Sequence, residues 1–254
     1  MTVTPFAPTD DLARAFAPEG TAPAPDHAAW EALARDVFVA GADGIVRVRY
    51  GALKAQPGAL DGYVEMLAAL DPTALAPADG FAYWANLYNA LTLQVIVGRY
   101  PVASIRDIPS GLFFPFGPWR RDVVTVNGRA LSLDDIEHRI LRGGWREPRI
   151  HHAVNCASIG CPNLPLTAWR GDTLDRDLDA AARAFVNHPR GCRIEGGRLI
   201  VSSIYHWYAE DFGGSDAGVI AHLRRYAAPE LADVLSQRTT IDDHAYDWGL
   251  NDAG

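Results

Sequence analysis

ADGFAYWANLYNALTLQVIVGRYP, residues 78–101, is the longest periodic run in the chain. Phe81, Trp84, Tyr88, Leu91 and Val95 recur at helical spacing, which predicts one long helix, and Gly98 stands where a C-cap belongs. The run is apolar nearly all round, so it is predicted as the central element on which the rest packs. Asn86 and Asn89 interrupt it. Asparagine is a poor helix former and needs partners when buried, so these two either bond a neighbouring loop or line a polar pocket.

Working outward toward the N-terminus, GALDGYVEMLAAL is a helix stopped by Asp71-Pro72, because proline cannot continue the turn. HAAWEALARDVFV is an amphipathic helix that starts after Asp26 and buries Trp30, Leu33, Val37 and Phe38. Eleven of the first 25 residues are Pro or Ala, which predicts an extended, loosely held arm over residues 1–25.

Toward the C-terminus the character changes. SIRDIPSGLFFPFGPWRR has no period and reads as a long irregular loop, a common form for lids and site walls. DVVTVNGRALSL is a hairpin turning at Asn127-Gly128, and Ser132 is placed to cap a helix in LDDIEHRILRGG. RIHHAVN is a candidate strand. LDRDLDAAARAFVNHP is a helix, CRIEGGRLIVS a second hairpin turning at Gly196-Gly197, and SSIYHWYAEDF and AGVIAHLRRYA two more helices before the polar tail DDHAYDWGLNDAG. The whole is predicted as an α+β fold: residues 26–254 as a single, mostly helical domain with a small antiparallel sheet.

A formal charge of -8 argues against a nucleic-acid or anionic-membrane partner, since those surfaces need clustered Lys and Arg. The start of the chain lacks a basic and then apolar leader, and LTLQVIV is too short to span a bilayer, so a cytoplasmic location is expected. Three cysteines is an odd number and too few for a disulfide scaffold, which makes reduced thiols the default.

Chemistry concentrates in HHAVNCASIGCPNL, residues 151–164. A thiol attacks carbonyls as its thiolate, so a catalytic cysteine wants an imidazole or a helix N-terminus beside it and N–H donors for the oxyanion. If RIHHAVN is a strand, Cys156 sits where it gives way to the small residues Ala157 and Ser158, a place where a helix can begin. Strand alternation puts His152 with Ile150 and Val154 in the core and leaves His151 free for the site. His138, beside Glu137 and off the apolar stripe of its helix, is the other candidate base; adjacent helical positions diverge by about 100°, so Glu137 and His138 should serve different partners. The rival readings are a Cys2His2 metal site made of Cys156, Cys161, His151 and His138, a regulatory thiol pair, and two inert buried cysteines.

FAYWANLYNALTLQ, YPVASI, LSLDDIEHRILR, PRIHHAVNCASIGCPNL, AFVNHPR, VSSIYHWYAEDF and YDWGLN, in that order, resemble the family known as domain of unknown function 547, found in bacterial proteins and at the end of some plant leucine-zipper proteins. The resemblance covers about residues 75–251. It implies that Trp84, Asn86, Tyr88, Asn89, Glu137, His138, His151, Asn155, Cys156, Cys161, Trp207, Asp211 and Phe212 hold motif positions. Where this chain has His152 the family tends to carry an aromatic, in keeping with a packed side chain. NCAS is also similar to the Asn-Cys motif of permuted papain-like proteins, in which the histidine precedes the cysteine.

The expectation is a cysteine-dependent amide or thioester hydrolase or acyltransferase in a papain- or transglutaminase-like arrangement, acting without a cofactor on a small-molecule or peptide-like substrate. Cys156 is its nucleophile, His138 or His151 the base, and Glu137 or Asn155 an orienting or oxyanion group. Trp84, Asn86, Asn89, Ser158, Cys161 and Trp119 are expected at the substrate, with the Phe113 to Trp119 loop as a wall. A non-catalytic binding or scaffold domain is the alternative, and a metalloprotein the third.

Overall fold

The computed structural model describes residues 10–110 and 117–254. Its first four helices are α1 (Asp11–Ala15), α2 (Ala28–Val37), α3 (Tyr50–Ala55) and α4 (Gly58–Ala68), and a short hairpin of β1 (Phe38–Ala40) and β2 (Val46–Val48) follows α2. Helix α5 (Pro77–Val97) is the central element its periodicity predicts. Pro77 presets its first turn, and every side chain from Gly80 to Leu93 is buried, with α3 and α4 packed against it. Fully buried Phe81, Trp84, Tyr83 and Tyr88 each contribute roughly 2–3 kcal/mol of apolar burial.

Over its described residues, 10–25, the expected loose arm is instead docked. Its described portion includes α1, which docks through Leu12, Ala13 and the adjacent Phe16, whose ring meets Trp84 edge-on at 5.0 Å. The Pro and Ala content conceals an amphipathic turn, Asp10 capping Leu12 through a 2.7 Å bond.

Strands β3 (Asp122–Val126) and β4 (Arg129–Ser132) form the Asn127-Gly128 hairpin, both turn residues at positive φ, 48° and 72°. Ser132 Oγ then accepts from Asp135 N–H while Asp135 accepts from Ser132 N–H, a capping box. What it starts is a π-helical segment, Asp135–Leu141, running on into α6 (Arg142–Gly144). The wider turn of a π-helix lets Glu137 and His138 both reach the same cavity, contrary to the divergence expected of adjacent α-helical residues.

RIHHAVN is not a strand. Ile150–Ala153 is one helical turn, α7, because Arg149 ties it down: its guanidinium is held by Glu147, by Asp175 and by Asp179 at 2.6, 2.7 and 2.7 Å. Asp175 and Asp179 belong to α8 (Leu174–Val186), so these ion pairs seat α7 on α8. After α8 come β5 (Cys192–Glu195), β6 (Arg198–Ser202), α9 (Ile204–Trp207), a 3₁₀ turn Ala209–Phe212, α10 (Asp216–Tyr226) and α11 (Pro229–Ser236).

The tail that follows returns to the fold. Its β7 (Asp243–Ala245) adds to β6 in parallel, giving a mixed three-stranded sheet beside the two antiparallel hairpins. The protein is therefore a single α+β domain with three small sheets in place of the one antiparallel sheet expected. Its apolar residues form a large cluster around α5 and a smaller one among α8, β6 and α10. No helix among the described residues is long and apolar enough to cross a membrane.

Candidate active site

A cavity of about 260 Å³ opens at the seam between the two apolar clusters, with Tyr88 and Val154 from the larger and Ile204 from the smaller in its wall. Cys156, Cys161 and Pro162 line it together with Asp134, Glu137, His138 and His151, and Trp119, Trp207, Trp248, Tyr208 and Tyr246 supply aromatic wall.

The two thiols are in direct contact. Cys156 Sγ lies 2.8 Å from Cys161 Sγ, and the Tyr246 hydroxyl sits 3.1 and 3.0 Å from the two sulfurs. Cys161 is 4 % exposed and Cys156 is the more accessible of the two. The N–H of Cys156 donates to Cys161 Sγ at 3.1 Å. Donors thus converge on Cys161. Its hydrogen bond to Cys161 and burial push the Cys156 thiol up, while bonds from Cys156, Tyr246 and the backbone outweigh burial and bring Cys161 down. The pair titrates as a unit, holding one shared proton on Cys156 when Cys161 is the anion. Burial and the two sulfurs keep the Tyr246 phenol protonated, so it acts as a donor.

Local geometry follows from Asn155 and Ala157. Asn155 Oδ1 accepts from Ala157 N–H at 2.7 Å and its Nδ2 donates to Pro162 O at 2.6 Å, folding residues 155–162 into a tight loop. Ala157 takes a φ of 62°, sparsely populated for a residue with a side chain. Residues 247–249 run directly over this loop: Ile159 and Gly160 N–H donate to Gly249 and Asp247 carbonyls, both at 2.8 Å. A Cβ on Gly160 would fall 2.8 Å from Asp247 N, so only glycine permits the approach.

His151 is held from two sides. Its ring stacks on Tyr208, and Nε2 lies 2.6 Å from Asp211 Oδ2, which also takes Arg142 Nε at 2.6 Å. Burial pushes the imidazole below its usual range against the raising influence of Asp211, so it is neutral. With Nε2–H donated to Asp211, Nδ1 carries the lone pair. Burial alone would raise Asp211, but bonds from His151 and Arg142 bring it down to about 2. His138 is partly exposed, its Nε2 3.7 Å from Asp134 and its Nδ1 3.4 Å from Arg142 Nη1.

Several expected roles change. The hydrogen-bond partners of Cys156 are Cys161, Tyr246 and Ser158, and no imidazole is among them. No helix begins at Cys156, so the papain-like arrangement is not borne out. Asn155 clamps the loop and does not line the cavity, nor does buried Ser158. Asn86 and Asn89 serve the loops. Asn86 bonds both N–H and C=O of Trp169, and Asn89 bridges Ala153 O to Asn155 N–H, all near 2.9–3.0 Å. Trp84 is core, packed between Phe16 and Tyr83. His152 is fully buried against Tyr205 and His222, as its expected core position requires.

Trp119 and Cys161 do line the cavity, as do Glu137, His138, His151 and Cys156. Phe113–Phe116 of the expected wall lie outside the described residues. The suggested Cys2His2 site is not assembled: among the described residues no three His, Cys, Asp or Glu side chains are placed to hold a metal ion. Tyr208, Tyr246 and Trp248 were not anticipated at the site; the motifs YHWYAEDF and AYDWGLN carry them, but no spacing rule relates them to Cys156.

Fold and cavity define an α+β domain in which a thiol pair and an imidazole held by a carboxylate contribute to one aromatic-walled pocket. Residues 72–186 match the model of the family described as "Protein of unknown function, DUF547". No curated protein and no solved structure matches the chain.

Proposed function

We propose that the protein is a cysteine-dependent acyl-transfer enzyme, hydrolysing or transferring the acyl group of a small amide or thioester. The observation that carries this reading is the 2.8 Å contact between Cys156 and Cys161 in a cavity also lined by His151, itself fixed by Asp211. Cys156, the more accessible sulfur, attacks the carbonyl carbon as its proton passes to the Cys161 thiolate. At 2.8 Å the two sulfurs are within proton-transfer distance, the geometry that general-base catalysis requires. When the tetrahedral intermediate collapses, the leaving group takes the proton that had passed to Cys161 and the acyl group stays on Cys156 as a thioester; His151, through the lone pair of Nδ1, then accepts the proton of the water or acceptor that releases it. Tyr246 O–H is a donor available to negative charge near the sulfurs. Glu137 accepts from the phenols of Tyr88 and Tyr208, which supports reading it as a substrate-holding group and not as the base.

The test is a panel of small thioesters and activated amides assayed with the parent protein, Cys156→Ser and Cys161→Ser, with mass spectrometry for an acylated peptide. Acylation of Cys156, lost in Cys156→Ser and slowed in Cys161→Ser, is expected. Turnover that survives Cys156→Ser sinks the reading.

A further inference from the structure

Charge and aromatic content in the cavity wall are unevenly distributed. Trp119, Trp207, Trp248 and Tyr246 form a contiguous set, successive ring centroids lying 4.6 to 6.0 Å apart. Tyr88 and Tyr208 add two more rings, and the charged side chains in the wall besides histidine are Asp134 and Glu137, with no Lys or Arg. Asp134 pairs with Arg120 at 3.3 Å. Glu137 differs: it is 7 % exposed and has no ion pair with any described Lys, Arg or His. The phenols of Tyr88 and Tyr208 hydrogen-bond it, and Arg142 and His151 act on it only from beyond ion-pair distance, so a close cation would stabilise it further.

Electron-rich rings beside a buried carboxylate that forms no ion pair match an organic cation. Ring faces attract ammonium groups, most strongly where water is excluded. Rings of this wall already do so within the chain: the Arg106 guanidinium sits 5.1 Å over the Trp248 ring and that of Arg142 sits 5.0 Å over Tyr208. An anionic ligand would meet two carboxylates, and a neutral apolar one would leave Glu137 without an ion pair. The cavity, about 260 Å³, lies at the small end of ligand pockets.

We propose that the aromatic wall and Glu137 seat a small organic ammonium group, so that the ligand of this cavity is a cationic small molecule. For the chemistry this rests on the acyl-transfer reading, and the substrate becomes an amide or thioester that carries a positive charge.

Choline and its neutral isostere 3,3-dimethylbutan-1-ol, titrated calorimetrically into the full chain, test the seat directly. Choline should bind at least about tenfold more tightly. Glu137→Gln, close to isosteric, should bring the two ligands to near parity. Trp207→Ala removes a ring that is 45 % exposed, and so should leave the fold intact while weakening choline roughly three- to tenfold. Equal affinity for the two ligands, no heat with choline, or a preference unchanged in Glu137→Gln would each overturn the proposal. Cys156→Ser separates the two readings. If it binds choline normally but the parent turns over no acetylthiocholine, acyl transfer fails and the cation seat stands; if neutral thioesters turn over and choline does not bind, the reverse holds.

Discussion

The imidazole of His151 lies flat on the phenol ring of Tyr208, centroids 4.1 Å apart and planes 15° apart, while its Nε2 meets Asp211 at 2.6 Å. Stacking fixes the plane of the imidazole and the carboxylate fixes its rotation within that plane. Together they choose which nitrogen carries the proton. The residues that do this, Tyr208 and Asp211, come from the turn after α9, some sixty positions from the histidine they position.

Asp211→Asn should therefore cost activity more than it costs folding. An amide can hold the ring but no longer selects the tautomer or balances an imidazolium, and turnover should fall roughly a hundredfold or more. Arg142 also loses its bidentate partner, which should lower stability by about 1–3 kcal/mol. Steady-state kinetics beside a thermal melt separates the two effects.

Acid should weaken the fold through its buried histidines. Burial lowers His222 from 6.5 to about 4, and His27 likewise. A side chain neutral when folded and protonated more readily when unfolded contributes stability that is complete above pH 6.5 and is lost as pH falls toward 4. For His222 this amounts to about 3 kcal/mol. Its Nε2 is buried without a hydrogen-bond partner in this structure, so His222→Phe should be at least as stable as the parent at pH 7. The variant should lose less between pH 7 and 5, as read from urea midpoints.

Arg149 should be among the most sensitive positions outside the cavity. It is 3 % exposed and gathers three carboxylates, and its removal leaves Glu147 charged in a poorly solvated place. Arg149→Met should destabilise by roughly 3 kcal/mol. Arg149→Lys, which offers no planar fork, should recover only part of this. Because α7 carries His151, activity should fall in parallel. Denaturant unfolding and turnover on the same samples check both.

Treatment with diamide, a thiol oxidant, should join Cys156 and Cys161, whose sulfurs are 2.8 Å apart. Three thiols titratable in denaturant should become one, that of Cys192, with activity restored by dithiothreitol. In Cys161→Ser the oxidant should leave the two remaining thiols free.

Local signals carried most of the fold. The stripe on α5, the Asn127-Gly128 turn and the Gly196-Gly197 turn all announced their elements, since each depends on residues close in sequence. Segments whose state is set from afar were misread. Ile150–Ala153 has strand-like residues, yet Arg149 pins it to α8 through Asp175 and Asp179, and no periodicity in RIHHAVN reports carboxylates that lie downstream. At the site, Cys156, His151 and His138 stood out by chemical type. Tyr246 did not, because a phenol becomes a thiol partner only when β7 returns beside β6 and carries it there.

That return strand has a temporal meaning too. Tyr246 stands ninety residues beyond Cys156, and Gly249 and Asn251 tie the same segment to Ile159 and Ala157. A ribosome delivers the thiols long before it delivers their lid. Nascent chains therefore present an open, unclosed pocket, and the matched segment 72–186, cut out by itself, would lack Ile204, Trp207, Tyr208, Tyr246 and Trp248 from its wall.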